Sequence, residues 1–80
     1  MHSVYLLRSV SHPEERYVGF TADLKKRFKS RNEGSSIHTA EYKPWELIAS
    51  CAFRNERKAR EFEHCLKSGS GKAFANKRLW

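Results

Sequence analysis

Apolar positions cluster into three short runs and two helix-spaced stripes, separated by polar breaks. Between residues 3 and 10 they fill both alternating sets, with Val4, Leu6 and Val10 on one and Tyr5 and Leu7 on the other. Side chains alternate across a strand, so this run predicts a strand covered on both faces and central in its sheet. The stretch SHPEE ends it, because Pro13 lacks the N–H that a ladder needs. RYVGF, residues 16–20, predicts a short second strand paired antiparallel with the first.

The segment ADLKKRFKSRN then takes helical spacing. Thr21 is placed to cap it, and Asp23 falls in the first turn, where the helix dipole favours a carboxylate. Leu24 and Phe28, four apart, form its buried stripe, while Lys25, Lys26, Lys29 and Arg31 spread over the other faces. Asn32 or Gly34 ends it, since both tolerate a left-handed cap. A polar connection, EGSSIHTAEYKP, leads to WELIASCAF. Alternation there puts Trp45, Leu47, Ala49, Cys51 and Phe53 on one face of a third strand. Asn55 caps ERKAREFEHCLK, whose inward stripe is Ala59, Phe62 and Leu66. SGSG, residues 68–71, is expected to end that helix, and KAFANKRL to form a short last one. The order β-β-α-β-α-α contains no repeat and no linker. It predicts one α/β domain over residues 1–80.

Composition narrows the partners. The 80 residues are 39% hydrophobic, enough for one small core. Sixteen Lys and Arg against nine Asp and Glu give a net charge of +7. Such an excess points to a polyanion, because each neutralised phosphate releases counterions. No apolar stretch approaches the length of a membrane span, and MHSVYLLRSV lacks the lead and cleavage site of a signal peptide, so the expected residence is cytoplasmic. Cys51 and Cys65 lack CxxC spacing and read as reduced, packed thiols. EHC at 63–65 has no metal spacing. In GSGK at 69–72 a P-loop reading fails, because its first glycine would fall at Leu66 and Ala73 replaces the Ser/Thr. A flexible turn and a phosphate-binding helix start near Lys72 both remain open there.

Two tyrosines raise a question of register. An even-length hairpin loop sends Tyr5 and Tyr17 to opposite faces, and an odd one puts them on the same face. A three-residue loop of Ser11, His12 and Pro13 pairs Tyr5 with Gly19 and Tyr17 with Leu7, leaving the tyrosines diagonal neighbours roughly 7–8 Å apart. Gly19, without a side chain, then leaves open space beside the Tyr5 ring.

SVY at 3–5 and YVG at 17–19, followed by FTADLKKRF, resemble the paired motifs of the GIY-YIG nuclease family. EHCLK at 63–67 is similar to that family's helix carrying a metal-binding glutamate. The resemblance runs from about residue 2 to residue 78. It implies a small three-stranded antiparallel sheet flanked by helices, and metal-dependent hydrolysis of DNA phosphodiester bonds, structure-selective in repair or recombination. It further implies that Glu63 binds one Mg²⁺ or Mn²⁺ and that Arg27 holds the scissile phosphate. Tyr5 and Tyr17 would position and deprotonate the attacking water, which of them is the base staying open, and Gly19 would keep the floor clear. Lys26, Arg27, Arg31, Lys72 and Asn76 are the expected contacts to nucleic acid. Asn76 corresponds to an asparagine that some members carry late in the domain. A protein partner is expected to supply specificity, since so small a domain has little surface for reading bases.

The residue types suit that chemistry. A phosphodiester is anionic, and a nucleophile approaches it once a cation or guanidinium neutralises it. Mg²⁺ keeps several waters and asks for only one or two carboxylates. Helical geometry puts Glu63 roughly 40° from Ala59, at the edge of the buried stripe, whereas Glu61 points to water, a mild preference for Glu63. Two features depart from the family pattern. Ser3 and Val4 replace glycine and isoleucine before Tyr5, and Arg31 stands where a histidine or tyrosine is frequent. Arginine cannot work as a base. The competing reading is a non-catalytic nucleic-acid-binding domain that keeps the fold.

Overall fold

The run that is apolar on both faces forms the middle strand of a three-stranded antiparallel sheet. Strand β1 spans His2–Ser9, β2 spans Arg16–Thr21 and β3 spans Trp45–Phe53, in the spatial order β2-β1-β3. In this computed structural model, which describes residues 1–34 and 40–80, helix α1 (Leu24–Asn32) lies between β2 and β3. Helices α2 (Glu56–Leu66) and α3 (Gly69–Arg78) follow β3. This is the expected α/β architecture in the expected order β-β-α-β-α-α. Residues 35–39 of the polar connection lie outside the described residues.

Both faces of β1 are covered, so Val4, Tyr5, Leu6 and Leu7 expose no surface. Val4 and Leu6 pack on Ala59 and Leu66 of α2 and Ala75 of α3. Tyr5 and Leu7 pack with Trp45 on the opposite face, where Leu24 and Phe28 of α1 close over them. Each fully buried aliphatic side chain contributes about 1.5–3 kcal/mol, so this small domain depends on a few residues of one strand.

The structure corrects several expectations. First, β1 stops at Ser9, and Val10 is 54% exposed. The last registered pair of the hairpin is Arg8 with Arg16, and Ser9 N donates to Glu15 O at 3.0 Å. The turn is therefore longer than Ser11–Pro13, but its length is still odd and the register is unchanged. Second, β3 does not keep one phase. Leu6 faces Ala49 while Leu7 faces Leu47, which makes Ile48 a bulged extra residue. An extra residue flips the side-chain alternation. Trp45 and Leu47 thus join the tyrosine face, and Ala49, Cys51 and Phe53 the aliphatic one.

Third, Asp23, not Thr21, is the N-cap of α1, its carboxylate accepting from Lys26 N at 3.1 Å. Thr21 is the buried last residue of β2, and its hydroxyl accepts from Asp23 N and donates to Asp23 O, both at 3.1 Å. The chain needs these two residues to turn out of the strand. Gly34, with φ 78, takes the left-handed conformation after the helix. Fourth, Ser68 caps α3 and Gly69–Gly71 form its first turn. A Cβ at Gly71 would collide with the Cys65 carbonyl, so this glycine lets α3 approach the end of α2. The flexible-turn reading of SGSG is excluded. Cys51 and Cys65 are both free, but Cys65 is exposed and not packed as expected. No described helix is long and apolar enough to cross a membrane.

Candidate active site

The hairpin register pairs Tyr5 with Gly19 and Leu7 with Tyr17. Both phenol rings therefore stand on one face, with centroids 6.1 Å apart and planes tilted by 32°. Gly19 lies between them. A Cβ there would run into the Tyr5 hydroxyl and stand 2.8 Å from Tyr17 Cε1, so the space expected to be open beside the Tyr5 ring is filled by the ring itself, and the position has no room for any other residue.

Tyr5 Oη is buried, and although the Arg31 guanidinium is near enough to act on it, no hydrogen bond of good geometry forms between them. An unsatisfied buried hydroxyl costs about 1–3 kcal/mol, an expense that packing alone does not call for. Burial, and then the neighbouring Tyr17, push the Tyr5 phenol above its ordinary pKa, while the Arg31 and Arg27 guanidinium groups oppose the rise. At neutral pH Tyr5 is a proton donor held in a dry pocket.

Arg31, from the last turn of α1, reaches into the same pocket. Its Nη2 donates to Tyr17 Oη at 2.9 Å, and its Cζ stands 4.8 Å from the Tyr17 ring centroid. Its Nε is buried with no partner. Arg27, one turn earlier, is exposed, and with Lys26 it lines a shallow depression beside Thr21 and Asp23. The helix that carries both arginines is pinned at its end. Asn32 Nδ2 donates to Trp45 O at 3.2 Å, and Trp45 N donates to Asn32 Oδ1 at 2.5 Å.

Glu63 comes from the other side. Helix α2 packs on the aliphatic face, but β2 is an edge strand, and α2 and α3 flank that edge. There Tyr17 opens onto a groove of about 420 Å³ with a floor of Val18, Leu66 and Ala75. Arg16, Lys67, Lys72, Asn76 and Trp80 form its rim. Glu63 Oε2 lies 3.1 Å from Lys67 Nζ. The Glu63 side chain is 22% exposed, against 64% for Glu61, which pairs outward with Arg57.

Residues 1–78 match the family described as the GIY-YIG catalytic domain. The chain belongs to the GIY-YIG family. It is 34% identical over 73 residues to the "Structure-specific endonuclease subunit SLX1" of Debaryomyces hansenii, an alignment covering 82% of this chain and 21% of that protein. It is 38% identical over 52 residues to the "UPF0213 protein YazA" of Bacillus subtilis, covering 64% of this chain and 52% of that protein. The chain thus spans about a fifth and about half of these two relatives.

For a GIY-YIG domain, the site residues expected from sequence fall into distinct groups. Tyr5, Tyr17, Gly19 and Arg31 form one contact cluster on the tyrosine face, while Lys26 and Arg27 line a separate depression, Arg27 being near enough to act electrostatically on Tyr5. Lys72 and Asn76 share the edge groove with Tyr17, and Glu63 adjoins that groove through Lys67. Sequence reasoning missed Arg16, Lys67 and Trp80. The signal was partial: Arg16 precedes the tyrosine of YVG and Lys67 follows Glu63 by four on one helix, whereas Trp80 lies beyond the end of α3 and reaches the groove through the fold.

Among the described residues no three His, Cys, Asp or Glu side chains gather as a ready-made metal cage. A lone, half-enclosed carboxylate is the donor set of a hard cation that keeps most of its waters and shares the substrate's phosphate oxygens. Glu63 fits Mg²⁺ or Mn²⁺ on those terms, with Lys67 as the counter-charge that such a cation would displace.

Proposed function

We propose that this chain is a metal-dependent DNA endonuclease domain, hydrolysing phosphodiester bonds at structured DNA in repair or recombination with the help of a protein partner. The observation that carries this reading is the pair of phenols over Gly19 with Arg31 donating to one of them, an arrangement that leaves buried polar atoms unsatisfied. Packing has no use for it. A site awaiting an anionic substrate does.

Arg27, exposed at the mouth, binds the scissile phosphate with its planar fork and offsets charge as the phosphorus gains an oxygen. Arg31 holds Tyr17 as an acceptor, so the phenol keeps one orientation toward the attacking water. Tyr5 stays protonated and, having no exposed surface in this structure, donates to the water or to a phosphate oxygen once the rings part to admit one. Tyr17 is then the member of the pair that acts as base, in its phenolate form, taking one proton of the water as the water oxygen bonds to phosphorus and the bond from phosphorus to the leaving oxygen breaks. Glu63 would hold one Mg²⁺ or Mn²⁺, which supplies Lewis acidity at the phosphate and steadies the leaving oxygen. Lys26 and Lys72 bind flanking phosphates. That the Debaryomyces hansenii relative is named as a subunit of a structure-specific endonuclease supports both the substrate class and a partner.

The test is single-turnover cleavage of branched, nicked and duplex DNA with Mg²⁺ or Mn²⁺. Glu63→Gln keeps the side chain's shape and removes its charge, so cleavage should fall by about 10²–10³-fold with DNA binding retained. A variant that cuts as fast as the parent removes Glu63 from the site.

A further inference from the structure

We propose that the groove at the β2 edge takes the base of an unpaired nucleotide, making single-stranded nucleic acid beside the cut a ligand in its own right. Its concavity is the first argument. A groove of about 420 Å³ over an apolar floor lies within the usual range for small-molecule clefts, about 300–1,000 Å³. Bases stacked inside a duplex cannot enter it, but a splayed-out base can.

Charge is the second argument. Arg16 and Lys72 stand on the rim with Lys67, which is paired with Glu63 just outside it, and no Asp or Glu side chain lines the groove itself. Phosphates on either side of an inserted base meet cations there, the pairing of apolar platform and basic track that binds single strands.

The third argument is the platform. Arg16 Cζ lies 4.9 Å from the Trp80 ring centroid, and Arg16 Nη1 donates to Asn76 Oδ1 at 2.6 Å. The guanidinium thereby covers one side of the indole, and its outward side offers a surface on which a base stacks. Asn76 Oδ1 is taken by Arg16, which leaves its Nδ2 to donate to a base edge. Tyr17 lines both this groove and the tyrosine pocket, so the strand leaving the groove passes the paired phenols. That placement relative to a cut rests on the proposed function. Occupancy of the groove does not.

Tryptophan emission tests it, because Trp80 borders the groove and Trp45 is buried on the opposite face. A twelve-nucleotide single-stranded DNA of mixed sequence and the same sequence as blunt duplex are titrated into the chain in EDTA, where no cleavage is measured. The single strand should quench Trp80 emission, the quench surviving in Trp45→Phe, and duplex should quench little. Trp80→Leu keeps an apolar contact to the core and should weaken single-strand binding about tenfold, with duplex binding almost unchanged. Lys72→Glu, on an exposed position, should likewise cost more for single strand than for duplex. Equal losses for both DNA forms in both variants would overturn the proposal and reduce the groove to one more basic surface. A chain that cuts nothing yet shows the single-strand preference would fail the nuclease reading and keep this one.

Discussion

The two faces of β1 carry neighbouring residues to opposite ends. Val4 and Leu6 meet Ala59, Leu66 and Ala75, a cluster made of hydrocarbon. Tyr5 and Leu7 meet Trp45, Tyr17 and α1, a cluster that encloses an unpaired phenol hydroxyl and an unpaired guanidinium nitrogen. Hydrocarbon burial is favourable wherever it is complete, whereas a dry polar atom without a partner is a cost. Val4 and Leu6 therefore hold the domain together, although at the start of the strand the even-numbered His2 also buries a ring nitrogen without a hydrogen bond. Tyr5 keeps a polar site at some expense of stability. Such strain belongs where chemistry is done.

The most forceful way to break this comparison is to cut into each face. Leu6→Ala should lose about 2–5 kcal/mol, read from urea unfolding, because α2 and α3 cannot collapse into the hole. The protein that remains folded should cleave at the parental rate. If Tyr5→Phe, on the opposite face, costs as much stability as Leu6→Ala, the tyrosine face is ordinary core and the division fails.

Next in size is a chemical cut on α1. Arg27→Lys keeps a positive charge and loses the fork, so turnover should drop about 10²–10³-fold with little change in DNA affinity. Lys26→Ala, one residue earlier, should weaken binding to all sequences alike and reduce the salt slope by about one unit. Single-turnover cleavage beside salt-dependent binding separates them. Equal, affinity-only losses in both would make Arg27 one cation among many.

How much of this was legible beforehand differs between the faces. Alternation in SVYLLRS was enough for a central strand with two covered sides, but it left the parity of the turn open, and the pairing of Tyr5 with Gly19 is what puts both tyrosines on one face. Alternation in WELIASCAF misled, since a bulge at Ile48 is a property of pairing with β1 and leaves no mark on the strand that carries it. Thr21 and Asp23 both suit an N-cap, and which one caps depended on how far β2 runs before it turns. Arg31 was read as a phosphate contact because its reach across to Tyr17 is tertiary. The same holds for Arg16 and Trp80, 64 residues apart in number and stacked in space.

A smaller, sharper probe is Gly19→Ala, a single methyl added where the two faces differ most. Overpacking at a buried site costs about 1–3 kcal/mol, and the methyl lands on both phenols. Cleavage should fall further than stability, because the rings must part to admit it. Circular dichroism melting and single-turnover rates on one preparation compare the two losses. A variant that is destabilised and fully active would show that ring spacing does not matter to the chemistry.

The smallest effect is a dependence on pH confined to one phenol. Tyr5 titrates above the ordinary 10.0 in the folded chain, through burial first and Tyr17 second. Above pH 10 the unfolded chain gives up a proton that the folded chain keeps, so rising pH favours unfolding. The stability tied to Tyr5 is complete below pH 10 and drains away as pH climbs from there through the folded value. Tyr42 is also raised, chiefly by Glu41, but it contributes equally to parent and variant. Tyr5→Phe removes the hydroxyl, so at pH 8 it should match the parent or gain up to about 1 kcal/mol. Its advantage in urea midpoint should widen between pH 9 and pH 11, where only the parent has this phenol to ionise on unfolding. A gap that narrows over that range would mean the Tyr5 hydroxyl ionises more readily in the fold than in water, and Tyr5 would replace Tyr17 as the group that accepts the proton.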